Sequence, residues 1–179
     1  MAFTAPQITH SFDNADGTAG SGAIKFTLLG RITNSGTTLV PSSITANLSG
    51  TGGLAQAVTS TLDPGTWPTG VMWRIDIAIL GASEESFVVP VPPVQTDTAA
   101  VVTNGSAIVQ LSTLTAETWM FGQSITGTDI PASTSIIAVN TTANQVTMSA
   151  NATGTHTGSY VLGATIDLGQ LLPQQQQVN

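Results

Sequence analysis

No window of this chain repeats apolar residues at the 3.6-residue spacing of a helix; short β-branched runs separated by Gly, Pro, Asn and Asp recur from end to end. Such a chain buries an apolar face by alternating it along strands, so the sequence is read as nearly all β. "AIKFTLLG" sets Ile24, Phe26 and Leu28 on one face and Lys25 and Thr27 on the other. "VMWRIDIAIL" is the strongest strand, with Val71, Trp73, Ile75, Ile77 and Ile79 opposed to Met72, Arg74, Asp76 and Ala78, and "ESFVVPV" follows as its hairpin partner across "GAS". "SSITANLSG" and "LAQAVTST" bracket the Gly-rich "SGTGG", which predicts a second hairpin with a loose loop.

The prolines of "VVPVPPVQTDT" cannot donate to a central ladder and favour an extended connection, which marks a boundary. The expected organisation is a β-sandwich domain over residues 1–95, a smaller β domain over 96–170 and a polar C-terminal tail over 171–179, "LLPQQQQVN". In the second domain "SAIVQLS", "TSIIAVN", "NQVTMSA" and "SYVLGATIDL" alternate as strands, and Trp119, Met120 and Phe121 of "ETWMFG" are expected to seed the core.

Charged residues make up only 7% of the chain while 41% are hydrophobic, the reverse of a disordered composition. The surface must therefore consist largely of uncharged hydroxyl and amide groups. The three cations, Lys25, Arg31 and Arg74, stand against ten carboxylates for a net charge of −7, too few to assemble a patch for a phosphate backbone. Nucleic acid is accordingly not expected as a partner. There is no cysteine, hence no disulfide framework and no thiolate metal site. "MAFTAPQITHSF" lacks a basic segment followed by an apolar core and does not read as a signal peptide, and no apolar run is long enough to span a membrane. A product of the cytoplasm that joins a larger assembly fits these features.

Several motifs weigh little. "GTGGLA" at Gly50–Ala55 matches a dinucleotide fingerprint formally, but no helix follows and a β-turn is the better reading. "DNADG" at Asp13–Gly17 puts Phe12 where the first carboxylate of a calcium loop belongs, so a strand-connecting turn is expected and no metal. "GQSIT" lacks the last glycine of a nucleophile elbow, and His10 and His156 sit in polar, loop-like settings. The sequons at Asn47, Asn104, Asn140 and Asn151 read as chance matches in a Thr-rich chain. No catalytic residue and no cofactor is expected. "LDPGTWPTGVMW" is more informative, because Trp67 stands between two Pro-containing turns and a rigidly held indole is a good contact residue, unless it folds back to lid the sandwich. Trp67, Trp73, Arg31 and Arg74 are the candidate interface residues, with Trp73 also suited to the core.

"FGQSITGTDIPASTSIIAVNTTANQVTMSANATGT", Phe121–Thr155, resembles a small β module of tailed-phage virion proteins and some bacterial surface proteins, with the pattern G-x-x-[IV]-x-G-x-G-I-P-x-G-T. Asp129 and Ser133 stand where that pattern has glycine. "DPGTWPTG" and the strand after it are similar to Ig- or transthyretin-like sandwiches of structural proteins from phages of actinobacteria. The resemblance implies a non-enzymatic virion protein made in the host cytoplasm: a capsid decoration protein, or a head, tail-fibre or minor tail component. Its expected partners are the major capsid protein, other virion proteins and copies of itself, most simply a trimer. The alternative is a carbohydrate- or receptor-binding adhesin module with Trp67 as a stacking platform.

Overall fold

The structure is a computed structural model that describes residues 3–171. Of these residues 48% lie in strands and 4% in helix, so the protein is all β. The chain divides into two compact units, the first reaching Pro93 and regaining the chain from Asp167, the second running Val94–Ile166. The predicted tail falls outside the described residues except for Leu171, which is buried at the end of a short helical turn, Leu168–Leu171.

The first unit is a sandwich. Strands β1 (Gln7–Ser11), β2 (Gly22–Leu28), β3 (Ile32–Asn34), β4 (Thr37–Leu39), β5 (Ser43–Asn47), β6 (Gly53–Ala57), β7 (Trp73–Ile79) and β8 (Glu85–Val89) are paired throughout as antiparallel ladders. One sheet runs β5-β2-β7-β8, while β1 pairs with β6 and β3 with β4. The alternation predicted for β2 and β7 is observed: Ile24, Phe26, Leu28, Trp73, Ile75 and Ile77 are buried, and β8 forms the hairpin with β7. Ile8, Leu54 and Val58 supply buried apolar groups from β1, β6 and the residue just beyond.

The second predicted hairpin is not one. β5 pairs with β2 and β6 with β1, so the "SGTGG" turn carries the chain from one sheet to another. Its geometry is local: Gly52 N–H donates to Ser49 O at 2.9 Å, and Gly53 N–H donates to Ser49 Oγ at 3.0 Å. The Pro-rich stretch between the units is packed at Val91. Val91 is wholly buried, its N–H donates to Thr61 Oγ1 at 3.1 Å, and its carbonyl accepts from Thr61 N–H and Ser60 Oγ.

The second unit contains β9 (Gln95–Val102), β10 (Ile108–Gln110), a 3-10 turn (Thr118–Met120), β11 (Gln123–Gly127), β12 (Ile136–Asn140), β13 (Gln145–Met148) and β14 (His156–Asp167). Neighbours run β12-β13-β10-β9-β14, with β11 on the far side of β14. β11 then returns to β12 through the Ser124↔Ser135 bridge, Gly122 N–H to Ile136 O at 2.8 Å and Ile125 N–H to Thr134 O at 3.1 Å. The ladder thus closes into a small barrel, which removes most of its unpaired edge. Val102, Val109, Ile125, Val146, Tyr160 and Leu162 are fully buried inside it. Met120 joins this core, Trp119 packs against it, and Phe121 is 40% exposed, so only part of "WMF" seeds the interior.

The stretch Gly122–Thr134 makes physical sense position by position. A side chain at Gly127 would collide with the Tyr160 ring, so only glycine fits there. Asp129 and Ser133, which replace glycines of the resembled pattern, adopt φ of +64° and +59°. Thr134 is buried and its hydroxyl donates to Pro131 O at 2.6 Å, closing the second turn.

Loop 111–117 joins β10 to the 3-10 turn without a strand partner, and two side chains satisfy it. Asp97 Oδ2 accepts from the N–H groups of Ser112, Thr113 and Leu114 at 2.8, 3.0 and 3.0 Å, and Oδ1 accepts from Ala99 N–H at 3.0 Å. Asn144 Oδ1 accepts from Ala116 N–H at 2.6 Å while its amide donates to Leu111 O and Leu114 O. Burial raises the Asp97 carboxyl, but the N–H donors of Leu114, Ala99, Ser112 and Thr113 outweigh it and hold the group below its ordinary range.

Two outcomes follow for stability, both read by chemical denaturation of the second unit. Asp97→Asn removes a charge-assisted acceptor and costs about 3 kcal/mol. Because the folded carboxyl titrates below its unfolded value near 3.9, its stabilisation is full above that pH and is lost as acid protonates the folded group. The wild type therefore loses stability below about pH 4 more steeply than Asp97→Asn. Ser133→Gly relieves a left-handed serine and stabilises by roughly 0.5–1 kcal/mol, the strain relieved less the added entropy of glycine.

Candidate contact face around Trp67

Trp67 is 66% exposed, yet its backbone is fixed. Trp67 N–H donates to Thr33 O at 2.9 Å and Thr33 N–H donates to Trp67 O at 2.8 Å, so the loop adds a third strand-like segment to the β3–β4 ribbon. The loop base is a polar cluster. Asp63, 5% exposed, accepts from Thr4 N–H and Thr4 Oγ1 at 2.8 Å each. The Asn34 amide donates to Pro64 O and Thr66 Oγ1, both at 3.2 Å, and Thr66 N–H donates to Asp63 O at 3.0 Å.

Strand parity decides what surrounds the indole. Residues directly opposite in antiparallel pairs share a face, so Thr38, Thr33 and Trp67 point the same way, and the two threonine hydroxyls lie 3.1 Å apart. Ile32, Asn34 and Thr66 alternate with them and are buried. One step beyond the paired register, Arg31 and Val40 join the outward face, and both are exposed. The result is a fixed, exposed face of one indole, one guanidinium, one isopropyl group and two hydroxyls.

The other candidate interface residues lie elsewhere. Trp73 is 2% exposed, with its indole N–H donating to Thr59 O at 2.9 Å, so it belongs to the core and presents nothing to a partner. Arg74, on β7, pairs through Nε with Asp76 Oδ2 at 3.1 Å and is half-exposed. The Ser86 hydroxyl first, and Arg74 after burial's opposing effect, draw the Asp76 carboxyl below its ordinary range. Arg31 and Trp67 alone are brought together.

The remaining polar motifs are occupied by structure. Ser124 of "GQSIT" accepts from Thr165 N–H at 2.9 Å in the barrel seam. "DNADG" forms a turn, with Gly17 N–H donating to Asn14 O and Asn14 N–H to Thr18 O. His10 Nδ1 lies 3.2 Å from Asp167 Oδ1, and the His156 ring meets Tyr160 edge-on. Among the described residues, no group of three or more His, Asp and Glu is placed to hold a metal ion. No family model, curated protein or solved structure gives a significant match to the chain.

The sequence singled out Trp67 and Arg31 but not the threonines between them, nor that the two lie on one face. Arg31, Thr33 and Thr38 join it through a bridge of long sequence separation, for which no local pattern exists. Trp67→Ala is expected to change unfolding free energy by less than about 0.5 kcal/mol, since the side chain is outside the core. Trp73→Ala should cost about 3–5 kcal/mol in the same denaturation experiment. Acrylamide quenching of tryptophan emission should fall sharply in Trp67→Ala and not in a Trp73 variant that still folds, such as Trp73→Phe.

Proposed function

We propose that this chain is a non-enzymatic structural protein of a phage virion, exposed on the particle surface as a capsid decoration or a head or tail-fibre component. The observation that carries the reading is the left-handed backbone at Asp129 and Ser133, the two positions where the resembled virion module has glycine. A left-handed backbone is what glycine would supply at these two positions, and this supports the resemblance. A 7% charged composition and a barrel closed by backbone hydrogen bonds suit an inert spacer on a particle exterior. In this reading the Trp67 face is the protein-contact face of the first unit, toward virion proteins or further copies of the chain, since interfaces concentrate Trp and Arg at their energetic centres.

A second reading, a carbohydrate- or receptor-binding adhesin module, is favoured by one observation: the exposed indole lies beside Thr33, Thr38 and Arg31 rather than under a lid. Cryo-electron microscopy of the particle separates the two. Density for this chain is expected on the particle exterior with Trp67 in a protein–protein contact. Absence of the chain from purified particles would overturn the virion reading, and an outer position with Trp67 free and pointing to solvent would favour the adhesin.

A further inference from the structure

The first unit carries a second surface that complements the Trp67 face. A groove of about 810 Å³ is lined by apolar Phe12, Ile77 and Leu80 and by the carboxylates of Asp13, Asp16 and Glu85. Leu80 is 79% exposed, the most exposed large apolar side chain among the described residues. The groove lies at one end of the β5-β2-β7-β8 sheet, and from the other end the chain runs on into the separate ribbon that holds Trp67. At one end Gly22 of β2 pairs with Ile79, which lines the groove; at the other Leu28 pairs with Trp73, and the chain continues directly into Arg31 and the ribbon that holds Trp67. The seven residues of β2 put roughly 20 Å between these ends.

The chemistry of the two surfaces matches. Arg31 forms no ion pair among the described residues, whereas Arg74 is already paired with Asp76. The groove presents three carboxylates around apolar side chains, and the Trp67 face presents an indole, an isopropyl group and a guanidinium. We propose that the Trp67 face of one copy seats in this groove of the next, with Arg31 against Asp13, Asp16 and Glu85, so that copies join head to tail. This rests on the Trp67 face being the chain's contact face. The contact is heterologous, and it closes into a ring or extends as a chain according to the rotation between copies. A net charge of −7 opposes association overall, and a pairing that places the unpaired Arg31 guanidinium against carboxylates offsets part of that repulsion.

Sedimentation velocity of the full chain across a concentration series tests it with two single variants and their mixture. The wild type should form a ring or a ladder of oligomers, weakened by added salt. Trp67→Ala and Leu80→Asp both alter exposed side chains and should each be monomeric with wild-type circular dichroism. Mixed, they should form one-to-one dimers and nothing larger, because each retains one intact surface. A wild type that stays monomeric, variants that associate as the wild type does, or a mixture that stays monomeric would overturn the proposal. The virion reading stands or falls separately on the particle map: head-to-tail assembly in solution by a chain absent from particles would sink that reading alone, and particle-bound copies whose Trp67 touches only another protein would sink this one alone.

Discussion

Backbone N–H groups that have no strand to pair with must find another acceptor or forfeit the cost of a buried, unmet donor, and loop 111–117 depends on two side chains for this. Asp97 accepts three of its N–H groups and Asn144 a fourth. With the loop held, Leu111 and Ala116 are buried, and Met120 of the following 3-10 turn enters the barrel core. The carboxylate is fully buried and, among the described residues, no cation is paired with it and backbone donors meet its charge. This is how a chain with three cations supports a buried anion.

The same economy recurs in the first unit. Asp63 is tied to Thr4, and Asn34 is tied to the carbonyl of Pro64 and the hydroxyl of Thr66. Short carboxylates, amides and hydroxyls lose little side-chain entropy when fixed, so they brace loops at lower cost than long ionic side chains. Rigid loops in turn let an exposed indole be held in one place, which is what a contact residue needs if binding is not to be offset by ordering. Composition, loop geometry and the proposed contact role are therefore linked through one physical choice: polar groups are satisfied locally instead of by ion pairs.

Local alternation made β2 and β7 readable, because their apolar positions face a core on one side only, and the short turn after β7 made β8 readable as its hairpin partner. It failed at β5 and β6, where a tight turn that closes on Ser49 looks the same in sequence whether the strands pair with each other or move to separate sheets. Asp97 reads as one more polar residue in "QTDTAA"; its partners lie 15 to 17 residues away in a loop with no periodicity. The regaining of the first unit at Asp167 leaves no local mark either, since β14 runs without a break from the second unit to Asp167. Trp67 was legible from its flanking prolines and Arg31 as one of three cations, whereas the threonines beside them, and the sharing of one face, required the Thr33 bridge.

Amide hydrogen exchange resolved by residue tests most directly whether side-chain acceptors hold these loops as ladders hold strands. The account predicts that Ser112, Thr113, Leu114 and Ala116 are protected to the same degree as strand amides of β9 and β13, and that Asp97→Asn lowers protection in this loop first. Exchange of these four amides at the rate of an unstructured surface loop, with β9 and β13 still protected, would contradict it.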